Sequence, residues 1–165
     1  MTLRYAAYGS NLHPGRLKLR IPAARLLGTD LHPDYSLRFH KLSHDASGKC
    51  GIFEGSSGVH FAVYEMSARD QARLDEIEGA GRGYDRVAIE LPRFGRCFTY
   101  LPSPDHVDAG LTPYAWYREF VLLGCLFHGF PDDYCAAVRK TDTIPDPDAT
   151  RRSANETIVS WLQAG

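Results

Sequence analysis

Leu3-Arg4-Tyr5-Ala6-Ala7-Tyr8, followed at once by Gly9-Ser10-Asn11-Leu12, decides how the chain begins to fold. The first six residues are rich in apolar and aromatic side chains and read as a strand. Gly9 tolerates positive φ and adds no bulk, and Ser10 and Asn11 favour tight turns, so the chain can bend sharply and expose successive backbone N–H groups. Pro14 then suits the first turn of a helix over Pro14 to Leu19. Strand, glycine loop and helix in that order outline a cradle for an anion or an oxyanion. Taken alone, such a turn is more often an ordinary strand-to-helix connection, so a second element has to decide.

Downstream of this unit, Ala24 to Gly28, Tyr35 to Lys41, Gly51 to Glu54 and Val59 to Met66 read as short strands. They are separated by turn-forming His32-Pro33-Asp34, Asp45-Ala46-Ser47-Gly48 and Gly55-Ser56-Ser57-Gly58. Ser67 with Asp70 offers a capped helix start, Leu74 and Ile77 recur at helical spacing, and Gly79 can end the helix. Tyr84 to Leu91 and Cys97 to Leu101 read as two more strands joined through Pro92-Arg93-Phe94-Gly95. The last third changes character. Pro113 to Phe127, Pro131 to Lys140 and Pro147 to Leu162 each begin with a proline at a plausible first helical position, the last behind an Asp146 cap. A meander of strands followed by helices predicts an α+β fold with a largely antiparallel sheet or small barrel.

The 165 residues suit one domain, and no repeat, low-complexity tract or long linker divides them. With 19 basic against 20 acidic side chains the net charge is −1, which gives no electrostatic reason to expect nucleic acid or an anionic membrane as partner. Cys50, Cys97, Cys125 and Cys135 have no zinc-ligand spacing, and no secretory signal precedes the first strand, so a cytoplasmic location is expected. No apolar run approaches the ~20 residues of a membrane-spanning helix. His40 and His44 are four apart, but on a segment that reads as strand and without a third ligand, so no metal is expected.

The second informative residue is Glu78, in Leu74-Asp75-Glu76-Ile77-Glu78-Gly79. A carboxylate in the last turn of a helix faces the partial negative charge of the terminal carbonyls, which suits a group that must both take up and return a proton. An acid-rich helix also offers the plainer reading of a solvated carboxylate, which fits Asp75 and Glu76 better.

Together, Tyr8-Gly9-Ser10-Asn11-Leu12 and Leu74 to Gly79 resemble the gamma-glutamylcyclotransferase family, in which a Y-G-S-N-L loop ends the first strand and a glutamate followed by glycine ends a later helix. The likeness extends to Gly83-Tyr84-Asp85-Arg86-Val87 and to Tyr117 with Gly124. It implies a single domain over residues 1–165, built as a mixed, mostly antiparallel β-barrel with flanking helices and no cofactor. The loop looks more like that of the gamma-glutamyl-amino-acid enzymes than the loops of the gamma-glutamylamine or glutathione-specific relatives. Ala62 departs from the family, which often has glycine there, and its methyl bears on the shape of the pocket.

What the resemblance implies chemically is release of 5-oxoproline from a gamma-glutamyl amino acid or amine. Glu78 is then the catalytic acid–base group, and Tyr5, Ala6, Ala7, Tyr8, Gly9, Ser10, Asn11 and Tyr117 hold the substrate. A homodimer is compatible with this reading. A non-catalytic module that holds a small anion or a protein on the same fold remains the alternative. A serine hydrolase built on Ser10 ranks lower, because no G-x-S-x-G elbow surrounds it. Gly79-Ala80-Gly81-Arg82-Gly83 follows a helix and enters a strand, the reverse of a phosphate loop, so its glycines are expected to shape a turn beside Glu78.

Overall fold

Tyr5, Ala6 and Ala7 are all buried, as residues of a strand covered on both faces must be. In the computed structural model, which describes residues 1–165, they belong to β1 (Thr2–Ala7), the middle strand of a five-stranded sheet. Its order is β2 (Arg25–His32), β5 (Val59–Ser67), β1, β7 (Gly95–Pro102) and β6 (Tyr84–Leu91). β1 pairs antiparallel with β5 from Thr2 opposite Ser67 to Ala7 opposite Ala62, and parallel with β7 at Tyr5 and Phe98. The β2–β5 and β6–β7 pairs are antiparallel. β3 (Tyr35–Leu42) and β4 (Gly48–Glu54) form a separate antiparallel hairpin.

The α+β class is as expected, but the barrel is not formed. β2 and β6 are the edges of an open sheet, and the hairpin does not join it. The physical reason is visible at Cys50 on β4. Its N–H donates to the Tyr117 hydroxyl at 3.0 Å, and its carbonyl accepts from the Tyr84 hydroxyl at 2.5 Å. Phenols thus take backbone groups that a neighbouring strand would need. Nor is the sheet a simple meander, because β1 and β2 are separated by β5.

α1 (Pro14–Arg20) starts with Pro14 in its first turn, where the missing N–H costs nothing, and the His13 ring accepts from the Gly15 N–H at 3.0 Å. α2 (Ala68–Glu78) has the expected capping box between Ser67 and Asp70. It stops at Gly79, whose φ of 71° and ψ of 47° lie in the left-handed region that glycine enters freely. α3 (Ala115–Phe127), α4 (Asp132–Arg139) and α5 (Ala149–Ala164) complete the chain. Their prolines sit further out than expected: Pro131 is the N-cap of α4, while Tyr114 and Asp148 cap α3 and α5.

Asp148, not Asp146, caps α5, accepting from the Arg151 N–H at 3.0 Å. Asp146 is 1% exposed and has a different task. Its carboxylate accepts from Trp116 Nε1 at 2.9 Å, Arg151 Nε at 2.7 Å, an Arg151 terminal nitrogen at 2.6 Å and the Asp148 N–H at 2.9 Å. The hydrogen bonds from Arg151 hold this carboxyl well below the usual carboxylate range. It ties α5 to the start of α3, and α3 is the helix that underlies the site. Asp146→Asn should therefore cost about 3 kcal/mol in urea unfolding at neutral pH. Because the folded-state value is depressed, this stability is full above pH ~4 and lost as pH falls further, so the two proteins' stabilities should converge in acid.

Candidate active site

Two chain breaks meet at one place: the turn that ends β1 and the glycine that ends α2. The Glu78 side chain is only 15% exposed. Its Oε1 accepts from Asn11 Nδ2 at 2.8 Å and from a terminal nitrogen of Arg20 at 3.3 Å. The same Asn11 amide nitrogen donates to the Tyr5 hydroxyl at 3.2 Å, and Asn11 Oδ1 accepts from Arg20 at 3.4 Å. Asn11 is itself buried, so one amide side chain couples the loop, the first strand, the helix α1 and the carboxylate.

The loop is fixed from below. Leu12 N–H closes the turn onto the Gly9 carbonyl at 3.1 Å, and the Leu12 carbonyl accepts from the Tyr64 hydroxyl at 2.7 Å. The N–H groups of Gly9, Ser10 and Asn11 make no hydrogen bond within the chain and remain available as donors. Gly124 on α3 lies directly beneath: a Cβ there would come 2.4 Å from Leu12 Cβ. Gly9 is similarly constrained, since a Cβ would lie 3.0 Å from Cys50 Cβ and 3.5 Å from the Tyr117 hydroxyl. The spacing of Tyr117 and Gly124 thus places α3 against both ends of the turn.

Around Glu78 the wall is made by Tyr5, Tyr8, Tyr84, Tyr100 and Tyr117, with Gly9, Ser10, Asn11 and Cys50, enclosing a cavity of about 30 Å³. Most of these hydroxyls are committed. Tyr8 donates to the Tyr100 carbonyl, Tyr84 to the Cys50 carbonyl, and Tyr100 to Asp75 Oδ1 at 2.7 Å. Burial raises every one of the phenols far above its ordinary value, with the charge of Glu78 adding to the effect, so they are neutral groups at physiological pH. Burial also pushes the Cys50 thiol up to about 12, which removes it as a thiolate nucleophile. Glu78 is the one carboxylate on the wall.

The sequence-based site residues divide accordingly. Tyr5, Tyr8, Gly9, Ser10, Asn11, Glu78 and Tyr117 converge on the cavity. Ala6 and Ala7 do not line it; both are fully buried within the sheet. Ala62 stands opposite Ala7 and is likewise fully buried, so its methyl fills core and not pocket. Ser10 makes no hydrogen bond to a histidine or an acid. Arg82 faces solvent beside Glu76 at 3.7 Å, and Gly81 and Gly83 with φ of 81° and 135° shape the turn into β6. Arg20 escaped sequence reasoning, because a basic residue in the last turn of a helix is the ordinary complement to its dipole.

A larger cleft of about 680 Å³ lies between β3, the loop before β5 and α4. Its acid is the exposed Asp133, whose Oδ1 is taken by the Tyr134 N–H at 2.8 Å. Convergent polar chemistry, not volume, marks the smaller cavity as the site.

An α+β fold with a carboxylate tethered to an amide-donating loop defines a class of protein, and comparison supplies its family. The family model described as "Gamma-glutamyl cyclotransferase, AIG2-like" matches residues 5–119, and the chain belongs to that family. It is 30% identical over 145 residues to the gamma-glutamylcyclotransferase of Mus musculus, covering 81% of this chain and 75% of that protein. With the Homo sapiens gamma-glutamylcyclotransferase it is 28% identical over 163 residues, covering 92% and 84% respectively. A solved structure described as a gamma-glutamyl cyclotransferase has the same fold, with a TM-score of 0.85 at 24% identity over 98% of this chain and 99% of that one. The fold likeness therefore includes the helices beyond residue 119.

The close approach at Gly124 generates a test of how firmly the loop is held. Gly124→Ala should cost about 1–3 kcal/mol in chemical denaturation, because the added methyl meets Leu12 Cβ and the backbone behind it. An unchanged unfolding midpoint would show that α3 does not support the turn.

Proposed function

We propose that the protein is a gamma-glutamylcyclotransferase that converts a gamma-glutamyl amino acid or amine to 5-oxoproline and the free amino acid or amine. Family membership and the names of the mouse and human relatives support the reaction class. The observation that carries the reading is the Glu78 carboxylate, largely buried and joined at 2.8 Å to Asn11 of the amide-donating loop.

The reaction closes a ring within one molecule. The substrate's α-amine attacks its own γ-carbonyl carbon, a new C–N bond forms, the amide C–N bond breaks, and no water is consumed. An α-ammonium cannot attack, so Glu78 takes its proton as general base and later delivers a proton to the departing nitrogen. Since both reacting groups belong to the substrate, the protein's chief contribution is to hold a bent, ring-closing shape. The unpaired N–H groups of Gly9, Ser10 and Asn11 receive the substrate carboxylate or the oxyanion, where losing one donor costs on the order of 3 kcal/mol in the barrier. The neutral phenols supply shape and exclude water. No step calls for an organic cofactor or a metal.

Glu78→Gln is nearly isosteric and removes only the basic group. It should keep the wild-type unfolding transition while 5-oxoproline release from gamma-glutamyl dipeptides drops by a factor of ~10² or more; retained turnover would dismiss Glu78 from the role. A substrate whose α-amine is acetylated should give no 5-oxoproline with the wild-type protein. Slow release of N-acetylglutamate instead would point to hydrolysis.

A further inference from the structure

One buried cation beside the site has no partner in the protein. α1 carries Arg16 and Arg20 four residues apart, hence on one face of the helix. Arg20 is occupied with Glu78 and Asn11. Arg16 is 8% exposed, its guanidinium lies 4.3 Å from the centre of the Phe120 ring, and it forms no hydrogen bond or ion pair. Its Nε is one of two buried side-chain polar atoms in the chain that lack a partner; the other belongs to Arg118, whose terminal nitrogens are bonded to carbonyls and to Glu119.

Leaving a charged guanidinium buried and unpaired is costly, so the arrangement makes sense when an anion completes it. Phe120 is one helical turn from Tyr117 of the pocket wall, and Arg20 is one turn from Arg16 in the other helix, so the guanidinium lies between α1 and α3, one turn beyond the cavity's own lining. Apart from burial, the groups acting most strongly on it are Arg20, Glu78 and Tyr117, all belonging to the site. The charges agree with this placement. Glu78 is balanced by Arg20, and Arg16, with Lys41 on the Tyr84 side, remains as positive charge without an ion pair. A gamma-glutamyl amino acid brings two carboxylates: the loop amides take the one on the glutamyl side, and a second is left on the departing amino acid.

Resting on the cyclotransferase reading above, we propose that Arg16 is the specificity-determining seat for the carboxylate of the departing amino acid. It favours gamma-glutamyl amino acids over gamma-glutamyl amines. The planar guanidinium, backed by the Phe120 ring, offers paired donors suited to a carboxylate.

Gamma-glutamyl-alanine and gamma-glutamyl-ethylamine differ only by that carboxylate and form the decisive pair. Wild-type protein should prefer the alanine compound in kcat/KM, and Arg16→Met, which keeps bulk over Phe120, should reduce the preference about tenfold or more, mainly through KM. Arg16→Lys should keep part of it. Lys41 is the other buried cation without an ion pair, its ammonium 4.4 Å from the centre of the Tyr84 ring, and Lys41→Met should leave the preference in place. A purely packing role for Arg16 would lower the unfolding midpoint without moving the ratio. The proposal is overturned if wild type does not discriminate, if Arg16→Met keeps the ratio, or if Lys41→Met abolishes it. Should wild type release no 5-oxoproline from either compound, the reaction is misassigned, and calorimetric binding of the same pair to wild type and Arg16→Met decides the Arg16 seat by the same criterion.

Discussion

The constraint on which the rest depends is that β1 is enclosed on both sides, antiparallel to β5 and parallel to β7. A strand with two neighbours has no freedom to shift its register, because a one-residue slip would exchange its faces. The turn at Gly9 to Leu12 therefore leaves the sheet at a fixed point near its centre. β5 leads directly into α2 through Ser67, so the same pairing that fixes the loop also fixes where the helix begins. Gly79 then determines where it ends, which brings Glu78 within hydrogen-bonding distance of Asn11. Residues 67 positions apart in sequence are aligned by one strand pairing and one glycine.

Electrostatically the site is a single carboxylate in a wall of neutral groups. Five phenols surround it, and burial keeps all of them protonated. Such a wall lowers the local polarity without competing for the proton that Glu78 is proposed to carry. Arg20 supplies the countercharge from a helix that begins within the same loop segment, so the acid and its partner are positioned together.

What could be read from the sequence was what local chemistry determines. The turn residues Gly9 to Asn11, the capping box at Ser67 and Asp70, and the Glu78-Gly79 stop are each written within a few residues, and each is found in place. What escaped depends on contacts between distant segments. The open sheet in place of a barrel follows from Tyr84 and Tyr117 meeting Cys50, and nothing near any of the three announces it. Asp146 looked like a cap beside Pro147, whereas its partners Trp116 and Arg151 come from two different helices. Ala6 and Ala7 belong to the stretch that forms the loop, yet as neighbours in a doubly covered strand they turn into the core. Arg16 and Arg20 look alike in the sequence, and only packing against α3 and α2 tells the paired cation from the unpaired one.

The junction at Cys50 also governs how the site can breathe. Its N–H is held by a phenol from α3 and its carbonyl by a phenol from β6, so hairpin, sheet and helical layer are riveted together at one peptide unit. The hairpin cannot swing away without releasing both at once, which links opening of the cavity to the melting of whole layers. The amide of Cys50 should consequently rank among the slowest to exchange with deuterated solvent.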